Sequence, residues 1–135
     1  MTGMDKIISH KDLVVWQKSV ALAGKVYAAT RRLPRDERFG LQAQIRRAAL
    51  SVATHIAEGA ASQSRAHFIQ FLYAARSSLS ELETLYLIAS KLAPIAELTP
   101  TLEQISEVGR LLNGLIRSVV SSARAAHAKA CAAHR

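Results

Sequence analysis

The chain has 135 residues, 50% of them hydrophobic and only 5% aromatic, and its 18 Lys and Arg against 10 Asp and Glu leave a formal charge of +8. A chain of this length buries roughly 65–70% of the surface that it exposes when unfolded, so one domain needs neither disulfides nor a metal. The apolar content excludes intrinsic disorder, and 24 alanines with few Gly, Pro and aromatic residues argue against a β-sandwich.

The N-terminal residues lack the apolar core of a signal peptide, and no stretch approaches the roughly 20 apolar residues of a membrane span. We therefore expect a cytoplasmic protein without membrane contact. The pI near 10.3 indicates partners of negative charge, which include nucleic acid, acidic proteins and anionic surfaces.

The first segment with helical spacing runs from about Asp12 to Arg32, and Pro34 ends it. Its apolar residues recur every three or four positions: Leu13, Trp16, Val20, Ala23 and Tyr27. A second segment runs from about Gly40 to Glu58 and is followed by Gly59, the residue type favoured just past a helix C-terminus. Its apolar face comprises Leu41, Ile45, Ala48, Val52 and Ile56.

A third helix is predicted from about Ser64, as N-cap, to Leu92, and Pro94 closes it. Its apolar stripe has nearly heptad spacing and comprises Phe68, Phe71, Leu72, Ala75, Leu79, Leu82, Tyr86 and Ala89. The fourth helix is predicted to begin at Thr99-Pro100, because proline is tolerated in a first helical turn. Its buried face is predicted to comprise Leu102, Ile105, Leu112, Ile116, Val119 and Ala123.

No segment alternates apolar and polar residues as a strand does. Short connections between long helices favour antiparallel neighbours, so the predicted fold is all-α, an antiparallel up-down-up-down four-helix bundle. We expect residues 1–125 to form the bundle domain. Residues 126–135 form a basic Ala-rich C-terminal tail, which has high helix propensity but little to pack against.

Helices one and two carry more apolar residues than one core needs. The extra residues are Val15, Leu22, Val26 and Ala29 on helix one, and Leu50, Ala53 and Ala57 on helix two. Singly exposed apolar residues are common on monomers, which is the simpler interpretation. We favour the alternative, in which copies of the chain bury this surface and the bundle assembles into a ring.

No group of reactive side chains indicates catalysis. Cys131 has His127 four residues before it, but the end of a helix offers no walled pocket. His55, Glu58 and His67 are expected to gather near the link between helices two and three, where such residues more often form hydrogen bonds than hold zinc. The glycines are scattered singly, so no phosphate-binding loop exists. We expect no enzymatic activity, no metal and no cofactor.

The fourth helix has an unusual distribution of charge. No acidic residue follows Glu107, whereas Arg110, Arg117, Arg124 and Lys129 add positive charge. The three arginines recur every seven residues and are predicted to form one exposed row opposite the core stripe. Such a row is usually a solvated face, but the absence of interspersed Glu favours contact with the phosphates of RNA or DNA. No aromatic residue interleaves with the row, so sequence-specific recognition is not expected.

Helix two carries two adjacent arginines, Arg46 and Arg47, which point about 100° apart. Folding helix three back brings one of them near the level of Glu81, so a structural ion pair is the simpler interpretation. The pair also remains a candidate for nucleic-acid contact beside the row on helix four.

Several stretches of the chain together resemble one bacterial family. They are Asp12-Leu13-Val14-Val15-Trp16-Gln17-Lys18, Leu33-Pro34-Arg35-Asp36-Glu37-Arg38-Phe39-Gly40-Leu41, Gln44-Ile45-Arg46-Arg47-Ala48-Ala49 and Ile56-Ala57-Glu58-Gly59. They are similar to the four-helix bundle family encoded in intervening sequences of 23S rRNA genes, over about residues 12 to 120. Thr99-Pro100 and the segment 107–112 also resemble the accessory variability protein of diversity-generating retroelements.

The resemblance implies a non-enzymatic homopentamer with a basic surface that engages nucleic acid and a reverse transcriptase. It supplies no catalytic residues. The alternative is a purely protein-binding scaffold, whose basic surface recruits an acidic or nucleic-acid-bound partner.

Overall fold

A computed structural model describes residues 9–95 and 97–133, and all regular structure in these residues is helical. The four long helices are α1 (Val14–Ala29), α2 (Ala43–Ala61), α3 (Arg65–Leu92) and α4 (Leu98–Ala133). Three 3-10 turns and one π-helical turn join or precede them: His10–Asp12, Thr30–Arg32, Arg35–Glu37 and Arg38–Gln42. The first eight residues of the predicted bundle domain and the last two of the predicted tail lie outside the described residues.

Each long helix packs against two neighbours, α1 and α3 both lying between α2 and α4. The side-chain pairs that join α1 to α4 run in opposite directions along the two helices: Lys18 meets Glu107 at 3.3 Å, and Lys25 meets Glu97 at 3.0 Å. This arrangement confirms the predicted antiparallel up-down-up-down bundle. None of the described helices is long and apolar enough to cross a membrane.

The predicted core face of α1 is only partly correct: Leu13 and Ala23 are buried, but the helix is turned about its axis relative to the prediction. Trp16 and Tyr27 are only half-buried and Val20 is 45% exposed. The buried residues are mostly those of the second apolar set: Val15, Ser19, Leu22, Ala23, Val26 and Ala29. Ser19 and Thr30 also lie on this buried face, and a hydropathy pattern counts both as polar, which lowers the apparent hydrophobicity of the face. Their hydroxyls donate to carbonyls four residues earlier, at 2.7 and 2.8 Å, and a satisfied hydroxyl is tolerated in a core.

The core face of α3 agrees closely with the prediction. Its buried residues are Phe68, Leu72, Ala75, Leu79, Leu82, Tyr86 and Ala89. Phe71, at the edge of this stripe, is half-buried. Ser64 caps the helix as predicted, because its Oγ accepts a hydrogen bond from the backbone N–H of His67 at 3.1 Å.

The fourth helix begins at Leu98, immediately after Glu97, whose φ is 56°. Two residues predicted for its buried face, Leu102 and Ala123, are only half-buried. Thr101 and Val108 take their place in the core. At the start of α4 the buried residue is thus Thr101, one position before the predicted Leu102.

The end of α4 extends beyond the bundle. Arg76 on α3 lies 3.4 Å from Asn113 on α4, so antiparallel pairing places Arg65, where α3 begins, level with Arg124. Every described residue from Arg124 onward is exposed. Among residues 9–95 and 97–133, no other helix lies beside the last turns of α4.

Gly59 does not end α2, which continues to Ala61. Its backbone has no positive φ, so its role is not that of a left-handed cap. A Cβ at this position would lie 2.8 Å from Phe71 Cβ and 2.9 Å from Phe68 Cδ1. Glycine is needed here because α3 crosses α2 too closely for any side chain.

This contact predicts opposite signs for two Gly→Ala substitutions. Gly59→Ala should destabilise the bundle by about 1–3 kcal/mol, because a methyl group overpacks the α2–α3 contact. Gly24→Ala, in the middle of α1 with nothing within 4 Å of the added Cβ, should stabilise it by roughly 0.5–1 kcal/mol. Urea unfolding of both variants at one protein concentration measures the difference. Equal stabilisation by both would contradict the close crossing.

Candidate nucleic-acid interface

The predicted row on α4 is exposed in the structure. Arg110, Arg117 and Arg124 all lie on the solvent side, whereas Leu112 and Val119 between them are buried. Within the described residues none of the three arginines forms an ion pair. The row is therefore a line of positive charge without ion pairs along the middle of the helix.

Lys129 continues the positive charge into the projecting end of α4 and is also exposed. The last carboxylate before the row, that of Glu107, is engaged by Lys18 of α1. It therefore offers little neutralisation to Arg110. The sequence prediction of an unbroken basic surface on this helix agrees with the placement of these side chains.

A second basic surface lies where α1 ends and α2 begins. A cleft of about 680 Å³ opens there, and we call it the arginine cleft. Its main lining residues are Arg31, Arg38, Phe39, Arg46, Arg47 and Leu50. No carboxylate lines it. Only Arg46 and Arg47 of this set were singled out from the sequence.

Arg46 has a different partner from the one predicted. Its Nε donates to Thr30 Oγ1 at 3.1 Å, and a terminal guanidinium nitrogen donates to the carbonyl of Tyr27 at 3.0 Å. Its guanidinium also stacks on the Tyr27 ring, 4.5 Å from the centroid. The expected ion pair with Glu81 is wrong for Arg46, because the carbonyl of Tyr27 at the end of α1 lies within reach and Glu81 is exposed on α3.

These bonds tie the end of α1 to the start of α2. Gln42, in the π-helical turn, adds a bond from its side-chain amide to the carbonyl of Thr30 at 2.8 Å. Cationic and amide donors at a helix C-terminus neutralise its partial negative charge. Arg46 thus holds the wall of the arginine cleft, and its neighbour Arg47 remains exposed.

Sequence reasoning missed Arg31, Arg38 and Phe39. They lie in a turn-rich stretch in which Asp36 and Glu37 interrupt the basic residues, so the stretch has the pattern of a connection. In the structure neither carboxylate lines the cleft. The sequence signal that could have found this site is Phe39, an aromatic residue directly after an arginine in a polar segment. In the structure the Phe39 side chain is 91% exposed.

The His and Glu residues expected near the α2–α3 link do not form one cluster. His55 Nδ1 lies 3.9 Å from Glu58 Oε2, whereas His67 Nδ1 lies 3.0 Å from Ser64 Oγ, in the cap of α3. Over residues 9–95 and 97–133 no three His, Cys, Asp or Glu side chains are placed to hold a metal. The reason is that His67 contacts Ser64, the N-cap of α3, through both its backbone N–H and its ring, and this keeps it within the first turn of α3.

The remaining reactive pair lies at the exposed end of α4. Cys131 Sγ is 3.5 Å from His127 Nε2, and both side chains are surrounded by solvent. No other helix in the described part of the chain reaches this level of α4, so the described residues supply no wall or third group to position a substrate there. The geometry gives no support to nucleophilic catalysis.

Among the residues that the structure describes, one titratable side chain, that of Tyr86, is fully buried. Desolvation raises the pKa of the Tyr86 phenol above its ordinary value of 10.0, and the nearby Thr101 hydroxyl offsets part of that rise. Neither hydroxyl has a hydrogen-bond partner of standard geometry among the described residues. Tyr86 is thus a neutral core residue that holds α3 against the first turn of α4.

The fold and the surface charge together define a class, that of four-helix bundle proteins with an arginine-rich surface. The sequence model of the 23S rRNA-intervening sequence protein family matches residues 11–114, which is most of the chain. The chain belongs to this family, as the resemblance of its motifs indicated. Among curated proteins, none matches the chain.

The geometry of Arg46 predicts that this arginine stabilises the fold and Arg47 does not. Arg46→Gln should cost about 2–3 kcal/mol of unfolding free energy, because it removes charged donors and a cation–π contact from the end of α1. Arg47→Gln, which removes the same charge from an exposed neighbour, should change it by less than about 0.5 kcal/mol. Thermal and urea melting of both variants compares them, and equal losses would contradict the capping role.

Proposed function

We propose that this protein is a non-enzymatic homo-oligomer, a pentameric ring, whose basic surface binds RNA or DNA in the cytoplasm with little sequence specificity. The partner is either nucleic acid alone or a nucleoprotein that includes a reverse transcriptase. The observation that carries the proposal is the exposed row of Arg110, Arg117 and Arg124 on α4, without an acidic residue among them.

The spacing of the row suits a phosphate backbone. Seven residues of α-helix rise about 10 Å, so successive arginines are separated by about 10 Å along the helix. Phosphates of one strand lie about 3.4 Å apart along a duplex axis, so each arginine meets a different phosphate. Guanidinium groups form strong, charge-assisted bonds to phosphate oxygens. Contacts of this kind carry no base information, which explains the low specificity in the proposal.

Exposed apolar side chains support the assembly. Of the extra set predicted to mediate it, Leu50 is exposed, but most of the others are buried in the core of the protomer. The large exposed apolar residues of the helices concentrate on α1 and α3 and include Val14, Val20, Tyr73, Leu87, Ile88 and Leu92. Exposed apolar residues on two different helices suit a ring, because a cyclic assembly brings one surface of each copy against another surface of the next.

The alternative function is a protein-binding scaffold. The same basic surface attracts acidic protein segments, and the arginine row by itself does not separate the two partners. Pure RNA or DNA added without any protein partner distinguishes them. Binding at about 50 mM salt supports direct contact, and its absence favours the scaffold, because counterion release is most favourable at low salt.

The row makes a quantitative prediction for binding. Replacing Arg110, Arg117 and Arg124 together by Gln should lower nucleic-acid affinity and reduce the slope of log K against log salt by roughly 2–3 for each protomer that contacts the strand. Melting should change little, because all three side chains are exposed. Fluorescence anisotropy over a salt series measures affinity and slope together.

A matched control separates the row from net charge. Lys11, Arg32 and Lys91 are exposed on three other elements, and replacing all three by Gln removes the same charge. The control should retain most of the affinity and of the salt slope. Equal losses in both triple variants would mean that binding follows net charge and that the row has no special part.

The assembly makes a separate prediction. Light scattering should give the mass of a pentamer, and Ile88→Gln with Leu92→Gln should lower that mass, because both side chains are exposed one turn apart on α3. Ser80→Gln with Thr84→Gln, at exposed polar sites one turn apart on the same helix, is the control and should leave the mass unchanged. A monomer at micromolar concentration for the parent protein would remove the ring from the proposal.

A further inference from the structure

The arginine cleft contains more positive charge than its structure needs. Of its four arginines only Arg46 is used to join α1 to α2. Arg31, Arg38 and Arg47 are exposed, and none of them forms an ion pair within the described part of the chain. Three like charges around one concave surface repel each other, so their free energy falls when an anion binds.

The cleft also contains an aromatic side chain in an unusual state. Phe39 is 91% exposed on the π-helical turn Arg38–Gln42, although it lines the cleft and every other Phe of the chain lies in or beside the core. A phenyl ring left in water offers both an edge and a face to a ligand. Single π-helical turns are frequent at functional sites. Leu50, 46% exposed, adds apolar surface beside the ring.

Arg46 makes the cleft suitable for a phosphate group. The carbonyl end of α1 would otherwise place partial negative charge at the cleft and repel an anion. The bonds from Arg46 and Gln42 to Tyr27 and Thr30 satisfy those carbonyls. The electrostatic potential inside the cleft is then set mainly by the arginines that line it, and it is positive.

Building on the proposed function, we propose that the arginine cleft is a binding site for single-stranded nucleic acid. One unstacked base lies on the ring of Phe39, and the phosphates on either side of it are bound by Arg31, Arg38 and Arg47. The site has a volume of about 680 Å³, within the range of about 300–1,000 Å³ that suits small ligands, so it accommodates a nucleotide.

The observations favour a single strand over the other occupants. In a duplex the bases are stacked and paired, so a base reaches an aromatic side chain only from a single strand, a loop or an end. A second copy of the chain would have to present carboxylates to the cleft, yet the sequence has 10 acidic residues against 18 basic ones. Glu97 and Glu107 already pair with lysines of α1. In this proposal the α4 row contacts the phosphates of the nucleic-acid backbone, whereas the cleft binds an unstacked base.

The test separates base stacking from phosphate contact. Fluorescence anisotropy compares three labelled ligands of about 12 nucleotides: oligothymidylate, the same strand with abasic positions, and a duplex. Phe39→Leu removes the aromatic face and keeps an apolar side chain, and Phe39→Tyr keeps the ring. The parent should bind the intact strand about 5- to 100-fold more tightly than the abasic strand. Phe39→Leu should abolish that ratio without changing duplex affinity, and Phe39→Tyr should retain it.

Arg38→Gln with Arg47→Gln should weaken the intact and the abasic strand by the same factor, because both strands keep their phosphates. Equal binding of intact and abasic strands by the parent, or a full ratio in Phe39→Leu, would overturn the cleft proposal and leave nucleic-acid binding by the row intact. A parent protein that binds none of the three ligands at about 50 mM salt would overturn both. A change of mass in Phe39→Leu by light scattering would assign the cleft to contact between copies instead.

Discussion

The bond between Arg46 and the end of α1 is the constraint on which the candidate site depends. The last carbonyls of an α-helix have no partner within the regular helix, and here Arg46 of α2 donates to that of Tyr27 and Gln42 of the π-helical turn donates to that of Thr30. The same bonds fix where α2 starts relative to α1. The connection between them must then return through the turn that carries Arg38 and Phe39, so a structural requirement of the fold places both at the edge of a cleft.

The two basic surfaces differ in what their geometry offers to a ligand. The α4 row is convex and linear, with an arginine every second helical turn, and it continues along a helix end that projects past α3. Such a surface follows a backbone over some length. The arginine cleft is concave and combines guanidinium groups with one aromatic ring. In the proposed function, these surfaces hold a polyanion in two distinct ways.

Sequence reasoning succeeded for α3 and for the row because both depend on the local period of the helix. Every buried residue of α3 belonged to a stripe of nearly heptad spacing, and arginines seven residues apart lie on one face in any α-helix. It was only partly correct for α1, where two apolar sets share the helix and the predicted set contributes only Leu13 and Ala23 to the core. Ser19 and Thr30 are buried with the winning set, because their hydroxyls are satisfied by their own helix, and a hydropathy pattern counts them as polar.

The sequence by itself determined the number of helices, most of their ends and the exposure of the α4 arginines, since all of these follow from helical periodicity and breaking residues. Only the tertiary structure decided which side of α1 faces the core, why Gly59 is needed within α2, and that Arg31, Arg38 and Arg47 meet around Phe39. Those features depend on distances between segments far apart in the chain. Such distances are determined by how closely neighbouring helices approach and by which donors satisfy a helix end, and no local pattern contains either quantity.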